Sequence, residues 1–239
     1  MYEERVSIIE PALPESLIIV SPHLEQHVAE IAEKIAKNLD CYAVINHGWE
    51  RANYVDFMND KANCNSIKHL YHDVVKEEFL DPIFNFIAKI RKAQFINIYI
   101  LILHGFTVPE KWNSADGINP PEIVLGYGAG SKRLSCSKWR RNAFIDFLNQ
   151  QGFTVYLGKA GGKYAGANKD NLNQLFRINN PDYGVDEQIH SLQIEIENIW
   201  RYTLKNACLF AENTSKAIES LVDLGDEGFT QDFPTLPEY

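Results

Sequence analysis

Three side chains suited to metal-assisted chemistry stand in or just after apolar segments of the chain. His23 follows the run LIIVSP, His104 closes the run INIYILIL, and Glu195 lies in the alternating stretch QIHSLQIEIENIWR. Ligands of open α/β sheets bind at the carboxyl ends of parallel strands, so residues in these places can share one site. Two imidazoles and a nearby carboxylate, such as Glu25, match the three-ligand set of a catalytic zinc. The pattern is therefore compatible with a metal site, with Glu195 as a general base beside it.

Each of these residues also has a purely structural interpretation. A histidine after a strand is often a hydrogen-bonded structural residue. Glu25 stands at the start of a predicted helix, where a carboxylate complements the helix dipole, and His27 fits the solvated face of that helix. The carboxylate of Glu195 can equally decorate a solvated edge strand. The residue pattern leaves both interpretations open, and the argument for chemistry is that two such histidines occur together with the Glu195 strand.

Arginines are the candidates for holding a substrate carboxylate or stabilising an oxyanion, because the guanidinium group matches planar anions. Arg177 ends the segment NLNQLFR, and Arg201 ends the stretch QIHSLQIEIENIWR. Arg51, Arg140 and Arg141 are further candidates. A surface ion pair is the better interpretation for Arg140 and Arg141.

The segment Gly126–Lys132, GYGAGSK, follows a predicted strand and suggests a phosphate-binding loop. It lacks the four-residue gap of the P-loop motif and does not match GxGxxG. A glycine turn that allows close backbone approach is the favoured interpretation, and nucleotide binding is kept as an alternative.

The apolar segments that flank these residues predict a parallel α/β sheet. Leu17–Ser21 is typical of a buried strand, Leu24–Leu39 has the three- and four-residue spacing of an amphipathic helix, and Cys41–Asn46 is typical of a second strand. Strand, helix and strand with short joints predict a βαβ unit. Ile96–His104 is the most apolar run and is predicted to be the central strand, covered on both faces.

The remaining segments continue this alternation within one predicted domain, residues 1–225. Further strands are predicted at Glu122–Gly126, Phe153–Leu157 and the stretch from Gln188, and helices at Leu70–Arg91 with an interruption at Pro82, Ser135–Gln151, Leu172–Arg177 and Ile199–Val222. The long loops Gly105–Pro121 and Gly158–Asn171 are expected to shape the mouth of a site. Residues 226–239 are expected to form a loose acidic tail. The predicted architecture is a mostly parallel or mixed twisted sheet with helices on both faces.

Composition narrows the class of partner. The 239 residues carry a net charge of −9, which disfavours general binding to nucleic acids or acidic membranes. The four cysteines are widely spaced and form no CxxC pair, so they predict reduced thiols in a cytoplasmic protein. The N-terminal stretch MYEERVSIIEP lacks a basic flank followed by an apolar core and predicts no secretory signal. The oligomeric state is not predicted.

The order of these motifs resembles the N-formylglutamate amidohydrolase-like group and its relatives, the phage poly-γ-glutamate hydrolases. The matching motifs are SPH after the first strand, an acidic residue soon after it, LHG after the central strand, and QIEI followed by an arginine. LGYG, GFTVYL, a glycine-rich loop and NLNQLFR also arrive in the order of that group. The resemblance runs from Leu17 to Arg201 and implies a zinc-carboxypeptidase-like α/β fold.

Carried over to this sequence, the resemblance implies one zinc ion bound by His23, Glu25 and His104. It implies that Glu195 is the catalytic carboxylate in hydrolysis of an amide, with Arg177 and Arg201 near the substrate. The substrate would be a small acylated amino acid or a γ-glutamyl-type peptide that carries a carboxylate. The spacing between His23 and the acid is shorter than in relatives, so the two further candidates for the third ligand are His27 and Glu30.

Two other functions stay open at this stage. The shortened His-Leu-Glu spacing is compatible with a binding protein that keeps the fold without its chemistry. A nucleotide-binding domain that uses Gly126–Lys132 is the other alternative.

Overall fold

A seven-stranded mixed sheet forms the centre of the computed structural model, which describes residues 4–109, 119–130, 132–178, 180 and 188–224. The strands are β1 (Val6–Ile9), β2 (Leu17–Ser21), β3 (Tyr42–Asn46), β4 (Ile98–Phe106), β5 (Ile123–Gly126), β6 (Val155–Leu157) and β7 (Ile189–Glu197). Their order across the sheet is β1-β3-β2-β4-β7-β5-β6. The β1–β3 and β5–β7 pairs are antiparallel and the other neighbours are parallel. The predicted mostly parallel or mixed sheet is therefore confirmed.

Helices cover both faces of this sheet, as predicted. The helical segments are α1 (Val28–Leu39), α2 (Ile67–Leu70), α3 (Asp73–Val75), a π-helical turn (Lys76–Leu80), α4 (Asp81–Lys92), α5 (Lys138–Gln150), a 3-10 helix (Leu172–Phe176), α6 (Asn198–Arg201) and α7 (Leu204–Val222). Apolar side chains of α1, α5 and α7 pack on one face, and those of α4, the π-helical turn and the 3-10 helix pack on the other. Within the described residues, no helix is both long enough and apolar enough to cross a membrane.

The central strands β4 and β7 lie side by side over nine residue pairs. The prediction that the Ile96–His104 segment forms a central strand is confirmed, although β4 begins at Ile98 and continues past His104 to Phe106. The edge-strand interpretation of the Glu195 segment is wrong. β7 lies between β4 and β5, and all its residues except Glu197 are buried. Both faces of β7 are covered, so the polar residues of its alternating pattern are buried and do not face solvent.

The starts of two helices differ from the prediction because of the local conformation of the chain. The first helix begins at Val28 and not at Leu24, because His27 adopts a left-handed conformation with φ 54°. The predicted C-terminal helix is divided into α6 and α7. The hydroxyl of Thr203 accepts the backbone N–H of Asn206 and caps the start of α7.

One further difference concerns an edge strand, whereas the second helical segment agrees with the prediction. The edge strand β1 was not predicted, since four residues give too short a pattern. The predicted interruption near Pro82 is confirmed. Pro82 lies in the first turn of α4, directly after the π-helical turn, and its missing N–H removes a helical hydrogen bond at this junction. The predicted tail, residues 226–239, lies outside the described residues.

Candidate metal centre

The register of the sheet brings His104 and Glu195 together. His104 of β4 is the direct partner of Glu195 of β7, and residues paired in a parallel ladder project from the same face of the sheet. Both side chains are buried, with 3% and 5% of their surface exposed. The parallel pairing therefore places an imidazole beside a carboxylate in a shielded position.

His23 and Glu25 reach the same place from the end of β2, the other neighbour of β4. The Nδ1 atom of His23 lies 3.3 Å from Nδ1 of His104 and 3.5 Å from a carboxylate oxygen of Glu25. The other oxygen of Glu25 accepts the backbone N–H of Gly105. One potential ligand atom from each of the three side chains lies within 4.8 Å of the others. The turn after β2 thus completes a cluster that the two strands begin.

The cluster fits a tetrahedral metal ion by distance and by donor type. Ligand atoms about 2.0–2.1 Å from zinc, at tetrahedral angles, are separated by about 3.3–3.4 Å. The two separations from Nδ1 of His23 are 3.3 Å to His104 and 3.5 Å to Glu25. The second ring nitrogen of His104, Nε2, is buried without a hydrogen-bond partner in the described part of the chain, and an ion at Nδ1 would not supply one. Two imidazoles and one carboxylate can therefore hold a metal ion.

Electrostatics favour the ligand forms of these groups. Burial, together with the neighbouring His23, lowers the pKa of His104 to about 3, so its ring is neutral near pH 7. Burial opposes ionisation of Glu25. The neighbouring His23 and His104 and the N–H of Gly105 outweigh burial and lower its pKa. A neutral imidazole and an ionised carboxylate are the forms that bind metals.

The alternative acidic ligands lie elsewhere. Nδ1 of His27 pairs with a carboxylate oxygen of Glu30 at 3.1 Å, and the carboxylate of Glu30 is about half exposed. Neither belongs to the cluster formed by His23, Glu25 and His104. Of the three candidates for the third ligand, the structure thus brings Glu25 to the two histidines.

The surroundings of Glu195 shift its pKa in the direction opposite to the shift of Glu25. Burial raises the pKa of Glu195 to about 8, and the charge of Glu25 acts in the same direction. The amide Nε2 of Gln193 donates to its Oε1 over 2.5 Å, which together with the positive charges of Lys163 and Arg201 limits this rise. A carboxyl group with a pKa near neutrality can both accept and release a proton.

The amide of Gln193 is itself held in place by a polar network that the sequence did not reveal. The side-chain Nδ2 of Asn171 donates to Oε1 of Gln193 over 3.0 Å, while Oδ1 of Asn171 accepts the N–H of Asn173 and caps the 3-10 helix. Because Oε1 of Gln193 accepts from Asn171, its NH₂ group must face Glu195. The orientation of Glu195 is thus linked to the segment before the 3-10 helix.

One pocket contains the three potential ligands and Glu195, and its remaining wall is mostly polar. The wall also includes Arg51, Asn63, Asn65, Ser66, Gly105, Lys163, Tyr164, Asn168, Asp170, Asn171 and Gln193. Arg51 and Lys163 are the two cationic side chains in this wall. Sequence reasoning included Arg51 among five arginines but did not single out Lys163, which lies in the predicted glycine-rich loop.

The arginines assigned to the substrate by resemblance do not line this pocket. Arg201 is buried, and its guanidinium donates to the backbone carbonyls of Ile196, Gln26 and Phe106. It holds together the ends of β4 and β7 and the turn before α1. Arg177 follows the 3-10 helix and is half-buried. A direct catalytic role for Arg177 or Arg201 remains a prediction.

The surface-pair interpretation of Arg140 and Arg141 is wrong. Both side chains are buried on α5. The guanidinium of Arg140 lies 4.2 Å from the ring centre of Trp139, and that of Arg141 lies 4.3 Å from the ring centre of Tyr127. Cation–π packing and hydrogen bonds, to Tyr99 and Leu224 from Arg140 and to Asn142 from Arg141, accompany these positions and leave no periodic signal in the sequence.

The glycine loop after β5 makes close backbone contacts. A Cβ atom at Gly126 would lie 2.5 Å from the carbonyl oxygen of Tyr164. Gly128 has a φ of +70°, and its N–H already donates to the carbonyl of Ala165. These observations support the close-approach interpretation of Gly126–Lys132 and remove one N–H donor that a phosphate cradle would need.

Solved structures with a similar fold are known for other proteins. An N-formylglutamate amidohydrolase from Ralstonia eutropha JMP134 is similar with a TM-score of 0.57 at 14% identity, over 92% of this chain and 98% of that chain. A gene product from Agrobacterium tumefaciens is similar with a TM-score of 0.56 at 15% identity, over 92% of this chain and 96% of that chain. No family model matches the sequence, and no curated protein matches it. At these identities the likeness establishes the fold, and it confirms the predicted resemblance at that level.

Proposed function

We propose that the protein is a zinc-dependent amidohydrolase that cleaves an amide bond of a small acylated amino acid or γ-glutamyl-type substrate. The observation that carries this proposal is the convergence of His23, Glu25 and His104 in one pocket with the buried carboxyl group of Glu195. The fold shared with an amidohydrolase supports the same reaction class. In this proposal one zinc ion is held by the two Nδ1 atoms and the Glu25 carboxylate.

The protein side of the reaction centres on proton transfer by Glu195. His23, Glu25 and His104 would hold the zinc ion, which would supply a Lewis acid for the substrate carbonyl and lower the pKa of water from about 15.7 towards about 7. Glu195 accepts a proton from the attacking water and delivers it to the leaving nitrogen. Gln193 fixes one oxygen of Glu195, so the other oxygen is the one available for this transfer. The positive charge of a bound ion would favour the carboxylate form of Glu195, in the same direction as Lys163.

We propose that Arg51 and Lys163 bind the carboxylate of the substrate. Both line the pocket, and the positive charge of each acts on a different residue of the site. The charge of Arg51 acts on His104, and that of Lys163 acts on Glu195. A substrate anion between them would lie next to the reacting amide. Arg201 then supports the site by holding the strand ends.

The test is turnover by the zinc-loaded protein on N-formyl amino acids, other N-acyl amino acids and γ-glutamyl peptides. We expect hydrolysis of at least one of these classes. Glu195→Gln should abolish turnover while zinc binding stays intact, because the amide keeps the shape and cannot accept the proton. A zinc-loaded protein that hydrolyses none of these classes would contradict the proposal and favour a binding protein on the same fold.

A further inference from the structure

Asn63 lines the same pocket as the three potential metal ligands and contacts one ring nitrogen of His23. Its Oδ1 atom is 2.9 Å from Nε2 of His23. The backbone N–H of Asn65 donates to the same Oδ1 atom over 3.0 Å. A backbone N–H can only donate, so the atom it meets must be the amide oxygen and not the amide nitrogen. The side-chain orientation of Asn63 is therefore fixed by a contact independent of His23.

This orientation determines which nitrogen of His23 carries the proton. An amide oxygen accepts and cannot donate, so Nε2 of His23 must be the protonated, donating nitrogen. In the neutral ring, Nδ1 is then the nitrogen with a free lone pair. Nδ1 is also the atom that lies 3.3 Å from His104 and 3.5 Å from Glu25. The tautomer selected by Asn63 thus presents its lone pair to the cluster.

The backbone of Asn63 is held on both sides. Its N–H donates to Nδ1 of His69 over 2.9 Å, and its carbonyl accepts the N–H of Ser66 over 2.8 Å. Its chain neighbours Ala62 and Cys64 are buried in the core. An anchored amide oxygen can orient the imidazole without moving when a metal binds.

We infer that Asn63 is a positioning residue that fixes the Nε2–H tautomer of His23 and so presents its Nδ1 atom to the metal. The identity of the ion rests on the proposed function, whereas the assignment of the tautomer does not. Hydrogen-bond partners of ligating histidines set the tautomer and ring orientation, and their loss typically lowers metal affinity about 10–100-fold.

The first experiment measures zinc affinity by competition with a chelator. Asn63→Leu removes the acceptor at similar size and should weaken zinc binding about 10–100-fold. Asn63→Asp keeps an acceptor for His23 and Asn65 and should retain the affinity of the parent protein. Asn59→Leu is the matched control, because the side chain of Asn59 is exposed and bonds to Asp56. Parental affinity in folded Asn63→Leu, or equally weak binding in Asn63→Asp, would overturn the inference.

The second experiment reads the tautomer in the zinc-free protein by ¹⁵N NMR of labelled histidines, with His23→Gln for assignment. We expect the signature of a ring protonated on Nε2 near neutral pH. A ring protonated on Nδ1 would overturn the inference. This measurement needs neither zinc nor turnover, and it also decides the case if Asn63→Leu does not fold. If the parent protein binds no zinc, the proposed function fails while the tautomer result still tests the role of Asn63.

Discussion

At the scale of single residues, the site separates two carboxyl groups by their surroundings. The neighbouring His23 and the N–H of Gly105 favour the ionised form of Glu25, whereas burial raises the pKa of Glu195 to about 8. Pairs of acids whose environments push their pKa values apart commonly divide roles between charge stabilisation and proton transfer. In our account Glu25 is the metal ligand and Glu195 is the proton carrier.

The cysteines give a residue-scale prediction that does not depend on the site. Cys41, Cys64 and Cys136 are buried, and burial raises the pKa of each thiol, to about 12 for Cys41 and Cys136. Cys208 on α7 is partly exposed. We expect one of the four thiols to react rapidly with a thiol reagent at pH 8 in the folded protein.

Mass spectrometry of the labelled protein should locate that reaction at Cys208, and Cys208→Ser should remove the rapid phase. All four thiols should react in denaturant. Rapid labelling of Cys41, Cys64 or Cys136 in the folded protein would contradict the burial described here.

At the scale of elements, the strands were predictable and the polar contacts between them were not. The apolar runs that end near His23 and His104 identify β2 and β4, and parallel pairing then brings these histidines together. Glu195 could be placed in a strand, but its central position depends on pairing with β4 and β5, which no local pattern encodes.

The polar residues of the pocket wall could not be predicted from the sequence. Asn63 and Arg51 come from a stretch without hydrophobic periodicity, and Lys163 comes from a glycine-rich loop. Their positions are set by side-chain hydrogen bonds and tertiary packing, which have no fixed spacing in the sequence. The observed starts of α1 and α7 differ from the prediction for the same reason, as the turn at His27 and the cap at Thr203 show.

Gly105 gives the element-scale prediction, because it lies where β4 passes against α6. A Cβ atom at this position would lie 2.3 Å from the guanidinium carbon of Arg201, while the Gly105 N–H donates to Glu25. We expect Gly105→Ala to lower the free energy of unfolding by about 1–3 kcal/mol. It should also weaken zinc binding, since displacement of this strand end disturbs Glu25.

A double-mutant cycle with Arg201→Ala tests the cause. The methyl group should cost less when the guanidinium is absent, so the two changes should be coupled. Denaturant unfolding of the four proteins measures this coupling. Strictly additive free energies would show that Arg201 is not the group that excludes a side chain at Gly105.

At the scale of the whole molecule, the buried His104 links the stability of the fold to pH. His104 is buried in the central strand, and its pKa is lowered to about 3 from an ordinary value near 6.5. Between these values the unfolded chain binds a proton that the folded chain does not. Stability from this residue is therefore fully present above pH 6.5 and is lost as the pH falls towards 3.

For the zinc-free protein we expect the free energy of unfolding to fall with decreasing pH by up to about 1.4 kcal/mol per pH unit from this residue. His104→Gln cannot titrate and should show a correspondingly shallower dependence, whatever its absolute stability. Chemical denaturation at several pH values in the presence of a chelator measures both slopes. Equal slopes in the two proteins would contradict a buried, neutral His104.

The zinc content of the purified protein, after loading with zinc and dialysis, decides whether the cluster binds a metal ion. We expect about one zinc ion per chain in the parent protein and in Glu195→Gln. We expect loss of the ion in folded His104→Ala and His23→Ala, since each removes one of three ligands. A parent protein that holds no zinc, or a folded His104→Ala variant that keeps it, would contradict the account.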